Sequence, residues 1–192
     1  MDVMYFGSAK PFAEFTDQVW LVNFEPLAML NAIPSNEFRR DLASKQEWRI
    51  GNPICESACY LYTVQPPKLN SRNYIRMDEP IRPSLASKAK RLLGEHYIEE
   101  CTWKGAYLVD SICSAFSNPL PIFEELGIVA LARPFDTEKP TGLMEYKFLN
   151  PGRLVIKNCE HVDFQFERNS ARVSVTDHYV IPVPIKNLSE LC

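Results

Sequence analysis

The sequence predicts a single α+β domain over residues 1–192, with short helices in the first two-thirds packed on a mostly antiparallel sheet formed largely by residues 128–185. Two observations carry that expectation. The C-terminal third alternates apolar and polar residues with a period of two: Val162, Phe164 and Phe166 interleave with Asp163, Gln165 and Glu167, and Val173 and Val175 repeat the pattern after Asn169-Ser170-Ala171. A period of two puts one set of side chains on a buried face and the other in water, as in a half-exposed antiparallel hairpin. Helical spacing, by contrast, falls earlier in the chain, and helices followed by strands point to α+β rather than alternating α/β.

The elements follow in order. Val19–Phe24 is a compact β-prone run stopped by Pro26, which suits the first turn of a helix through Ile33. Ser35 or Asn36 caps a second helix, with Phe38 and Leu42 four apart, ended by Gly51-Asn52-Pro53. Ala58–Val64 is aromatic and β-branched and reads as a strand. Residues 68–83 show no period and form the longest irregular segment; loops of this length are uncommon in compact domains and are often functional. From Ser84, the residues Leu85, Ala89, Leu92, Leu93, His96 and Tyr97 fall on one helical stripe, with Gly94 as an alternative end. A turn at Trp103–Gly105 precedes a buried helix over 106–116, and a short helix over 122–126 ends at Gly127, the residue expected just past a helix C-terminus. Strands are expected over 128–132, 143–149, 153–157, 162–168, 172–176 and 179–185. Asn150-Pro151-Gly152 reads as a turn, with glycine supplying positive φ. Pro182 and Pro184 place the last strand at a sheet edge.

Composition narrows the functional classes. With 46% hydrophobic residues the chain can build a real core, and 15 prolines against 7 glycines imply stiff connections. A net charge of −3 gives no global pull toward nucleic acid or an anionic membrane. The distribution is uneven: residues 68–91 hold seven basic and two acidic residues, while both flanks are acidic. Six cysteines form an even set, yet the first twenty residues lack a basic region followed by an unbroken apolar run. The expectation is a cytoplasmic protein with reduced, buried thiols and no membrane partner.

Each candidate constellation has a plain alternative. Cys55 and Cys59 are four apart, but no second pair with zinc-ligand spacing accompanies them, so no metal or cofactor is expected. Cys159 and His161, two apart on a strand, point the same way without touching closely enough to form a nucleophile and base pair, His96 reads as a core histidine and His178 as a turn residue. Adjacent carboxylates such as Glu99-Glu100 and Glu124-Glu125 diverge on a helix and read as solvated faces. No phosphate-cradling glycine loop, nucleophile elbow or H-E-x-x-H motif is present. What remains is a non-catalytic protein-binding module such as an inhibitor, a toxin-neutralising immunity-type protein or an assembly factor. Its contacts are expected at Arg72, Tyr74, Arg76, Arg82, Trp103 and Trp48, residue types that dominate interface energetics. One alternative is a small enzyme with a dispersed cysteine, histidine and carboxylate site. Another is a nucleic-acid-binding accessory protein using residues 68–91, where arginines interleaved with Tyr74 contact phosphates and stack a base. The competing account of those arginines is that they anchor a long loop to the acidic remainder of the protein.

Overall fold

The computed structural model describes residues 3–25, 28–29, 32, 54–134, 143–167 and 180–183. It has the α+β architecture, with three short helices and a mostly antiparallel arrangement of strands among the described residues. The chain divides into two compact units, one built from residues 17–20 and 67–151, the other from residues 2–16, 21–66 and 152–192.

In the second of these, strand β1 (Met4–Ser8) pairs antiparallel with β2 (Trp20–Val22) and with β3 (Ile54–Gln65). β3 pairs antiparallel along its whole length with the long strand β7 (Val155–Glu167), with a register shift between Thr63 and Val64. The core here is aromatic. Phe12 stacks on Tyr62 at 4.1 Å, and Phe6 and Phe15 meet Phe12 edge-on. Tyr62 is fully buried, and its hydroxyl accepts from the Phe12 amide at 2.7 Å while donating to the Phe12 carbonyl at 3.1 Å. A buried phenol needs such partners, because an unmade hydrogen bond there costs about 1–3 kcal/mol.

In the other unit, β4 (Tyr74–Arg76) runs parallel to β5 (Ala130–Pro134), which pairs antiparallel with β6 (Met144–Phe148). Helix α1 (Pro83–Leu93) starts on proline and buries Leu85, Ala89 and Leu93, one residue per turn along a single face. Lys90 and Arg91 lie in its last turn, where positive charge complements the helix dipole. Helix α2 (Gly105–Ala115) buries Leu108, Val109 and Ile112, and α3 (Leu120–Leu126) buries Phe123 and Leu126. These faces join Ile75, Ile128, Leu131 and Leu149 in one core. Gly127, at φ 76°, closes α3: its amide bonds the Glu124 carbonyl, and the next amide, Ile128, reaches back to Phe123. Those two bonds make the glycine-dependent helix stop expected at this position.

Several sequence expectations are corrected. The stripe from Ser84 does not extend to His96 and Tyr97, because Gly94 adopts positive φ and ends α1; His96 is exposed on a 3₁₀ turn. The strands expected over 153–157 and 162–168 are one strand, β7 (Val155–Glu167). Residues 68–83 are not wholly irregular, since β4 lies inside them. Residues 151–153 form a 3₁₀ turn in which Gly152 does not take positive φ. β1 was not anticipated, its five residues being interrupted by Gly7. Among the described residues, four strands precede residue 128, adding to those that follow it. The last strand, β8 (Val180–Val183), pairs antiparallel with β7, opposing Pro182 to Glu160. The second helix, the hairpin turn at 169–171 and the strand over 172–176 lie outside the described residues, as does most of the helix expected over 26–33.

Candidate functional site

The segment 68–82 is held by its own polar groups. Asn73 donates its side-chain amide to the Lys68 carbonyl at 3.0 Å and accepts from the Asn70 amide at 2.9 Å; Asn70 in turn accepts from the Arg72 amide at 2.8 Å. Short asparagine side chains satisfy turn backbone in this way. The chain then enters β4, and Met77 donates to the Ala132 carbonyl at 2.8 Å. The start of α2 is tied to the same stretch: the Gly105 amide bonds the Glu79 carbonyl at 2.7 Å and the Ala106 amide bonds the Met77 carbonyl at 3.0 Å.

Of the arginines expected to face a partner, two have internal roles. Arg76 forks onto Asp78, Nε to Oδ1 at 2.9 Å and Nη2 to Oδ2 at 2.7 Å, and also reaches Glu79 at 3.0 Å. The Asp78 hydrogen bond raises the Arg76 pKa, and the same bond holds the Asp78 carboxyl below its usual range. Arg82 donates to the carbonyls of Ser71 and Arg72, bracing the turn from the head of α1. Burial lowers its pKa, and the neighbouring Arg72 charge lowers it further. Arg72 itself is exposed. Among the described residues, neither Arg72 nor Arg82 has an ion-pair partner.

Tyr74 is half-buried in β4, its ring edge-on to Tyr146 at 6.3 Å. Trp103 is 59% exposed, the most exposed large apolar side chain among the described residues. Trp48 lies outside them. Two residues that sequence reasoning passed over accompany Trp103: Ile98 and Tyr107 are also exposed. Tyr107 was legible, because the stripe of Leu108, Val109 and Ile112 leaves it on the other side of α2. Ile98 carried no signal, sitting on an irregular stretch between the 3₁₀ turns Gly94–His96 and Glu99–Thr102.

Cys59, Cys101 and Cys159 are buried and free, and Cys113 is exposed. Burial, aided by Cys159, pushes the Cys59 pKa up to about 12, and burial raises Cys159 as well. Cys101 contacts the Ser111 hydroxyl at 3.4 Å. The His161 ring meets Tyr60 edge-on at 5.1 Å, and His96 meets Phe116 at 6.0 Å. Cys192, His178 and the Cys55 side chain lie outside the described residues. Among those described, no group of three His, Cys, Asp or Glu is placed to hold a metal ion, and no helix is long and apolar enough to cross a membrane. Compared with known proteins, the chain matches no family model and no curated protein sequence.

Proposed function

We propose that this chain is a non-catalytic protein-binding module whose contact surface is centred on Trp103, with Ile98 and Tyr107 contributing. The observation that carries the reading is the exposure of three large apolar side chains, Ile98 at 47%, Trp103 at 59% and Tyr107 at 41%, within ten residues of a unit that otherwise buries its apolar residues well. Water gains by losing such surface, and tryptophan and tyrosine are the side chains from which interfaces draw most energy. Trp103 is retained from the residues expected at the sequence level, whereas Arg76 and Arg82 serve the loop itself. The nucleic-acid alternative draws less support, since the Arg76 guanidinium is committed to Asp78 and Glu79 and is not free to neutralise a phosphate. A reducing, cytoplasmic setting fits the free thiols at Cys59, Cys101 and Cys159, and an inhibitor, immunity-type or assembly role fits a binding surface without a reaction centre.

The test is affinity capture from the native source with wild type and Trp103→Ala side by side, read by mass spectrometry. The expected outcome is a stoichiometric protein retained by wild type and lost from the variant, with the variant's thermal midpoint unchanged. Retention that is indifferent to Trp103→Ala and to Tyr107→Ala removes this surface from consideration.

A further inference from the structure

We propose that a cavity of about 540 Å³ between α1 and the 3₁₀ turn Glu99–Thr102 binds a small zwitterion, an amino acid or short peptide, with its ammonium at Glu99 and its carboxylate at Lys90. This goes beyond the Trp103 surface and does not depend on it. One wall is helical: Lys90 follows Ser87 by three residues and Ala86 by four, so the three share a face of α1. The other wall is Glu99 and Thr102, three apart and therefore aligned on a 3₁₀ turn. That turn is fixed from within. The Thr102 hydroxyl donates to the Glu99 carbonyl at 2.8 Å, and Cys101 is buried in contact with the Ser111 hydroxyl at 3.4 Å. Tyr97 completes the lining, half-buried and packed against the core of this unit.

Lys90 and Glu99 are the charged residues of the lining, and neither forms an ion pair with the other or with any other described residue. Lys88, two residues earlier, shows the contrast: its ammonium donates to the Glu125 carbonyl and ties α1 to α3. Burial raises the Tyr97 pKa, so the phenol adds no third charge at neutral pH. The cavity thus carries one positive and one negative group on different walls, with a sum of zero. A simple anion drawn to Lys90 is repelled by Glu99, and a simple cation meets the reverse. A molecule bearing both charges gains from both, through charge-assisted hydrogen bonds. Pockets that enclose whole small ligands run about 300–1,000 Å³, so the volume suits an amino acid with its side chain or a dipeptide. Ala86 and the Tyr97 ring offer that side chain an apolar seat, and the Ser87 and Thr102 hydroxyls add hydrogen-bonding capacity.

The experiment titrates the isotope-labelled full chain at neutral pH and constant ionic strength, following the backbone amide resonances of Ser87, Lys90, Glu99 and Thr102. The probes are the dipeptide alanyl-phenylalanine, its N-acetyl form, its C-terminal amide, and free phenylalanine. Saturable shifts are expected with the dipeptide, and about tenfold weaker binding of each blocked form, the loss of one charge-assisted contact. Each wall is then assigned to one charge. Lys90→Met is expected to bind the dipeptide and its amide alike while still rejecting the N-acetyl form, and Glu99→Gln to show the converse. Both side chains are exposed, so the variants are expected to keep the wild-type spectrum away from the cavity. Tighter binding of phenylalanine than of the dipeptide identifies a free amino acid, and the reverse identifies a peptide. Shifts that do not saturate, equal binding of blocked and unblocked dipeptides, or discrimination that survives both substitutions would overturn the proposal.

Discussion

The substitution Gly105→Ala probes the joint on which the candidate surface rests. Gly105 opens α2 directly against β4, and a methyl group placed there would lie 3.0 Å from the Arg76 carbonyl carbon and closer still to that carbonyl oxygen and to Ile75 Cγ2. Favourable carbon contacts begin near 3.5 Å, so helix and strand must separate. Overpacking of this kind costs about 1–3 kcal/mol. Separation also stretches the bonds from Gly105 to Glu79 and from Ala106 to Met77, each worth about 1 kcal/mol. Alanine's better helix propensity returns at most about 1 kcal/mol, leaving a net loss of about 2–4 kcal/mol. For a chain of this size that is a fall of roughly 4–16 °C in thermal midpoint. Calorimetry measures the fall, and amide hydrogen exchange localises it, with Ala106 exchanging faster in the variant. A midpoint within about 1 °C of wild type, with Ala106 protection intact, would show that the close approach is not a constraint and that α2 is free to shift.

Further outcomes follow from the charged and thiol groups. Arg133 is half-exposed and stacks over Trp20 at 4.1 Å, whereas its partner Glu145, at 2.7 Å, is only 6% exposed. Arg133→Met therefore strands a buried carboxylate at about 3 kcal/mol, while Glu145→Gln frees a cation that water can solvate and costs less; chemical denaturation giving the opposite order would contradict this. Asp78 is held below its usual range by Arg76, so its contribution is present above the carboxylate's unfolded pKa and is lost as pH falls through the lowered folded value. Asp78→Asn is expected to abolish that component of the acid-side slope, at about 1 kcal/mol or less for a partly exposed pair, and an unchanged slope in pH-dependent melting would refute the assignment. A maleimide at neutral pH is expected to label Cys113 well before Cys59, Cys101 and Cys159 in the native protein; peptide mapping that finds Cys59 first would contradict its raised pKa.

Much of the fold was legible because it depends on local spacing. The face of Leu85, Ala89 and Leu93, the Gly127 stop and the β-prone run around Cys59–Val64 all follow from periods and from one residue's allowed φ. What was not legible depends on partners distant in sequence. β4 is three residues long and has no alternation to detect; it exists because β5, more than fifty residues later, supplies its ladder. The two expected strands within 153–168 merge because β3 pairs with both halves, carrying the ladder across the Asn158 to His161 stretch that showed no clear alternation.

The arginines of the 68–82 segment show the same limit at the level of function. Counting charge assigns Arg72, Arg76 and Arg82 alike to a basic surface. Backbone accounting separates them: an irregular segment must still satisfy its carbonyls and its acids, and Arg82 answers to the first while Arg76 answers to the second. Among the described residues only Arg72 is left without such work.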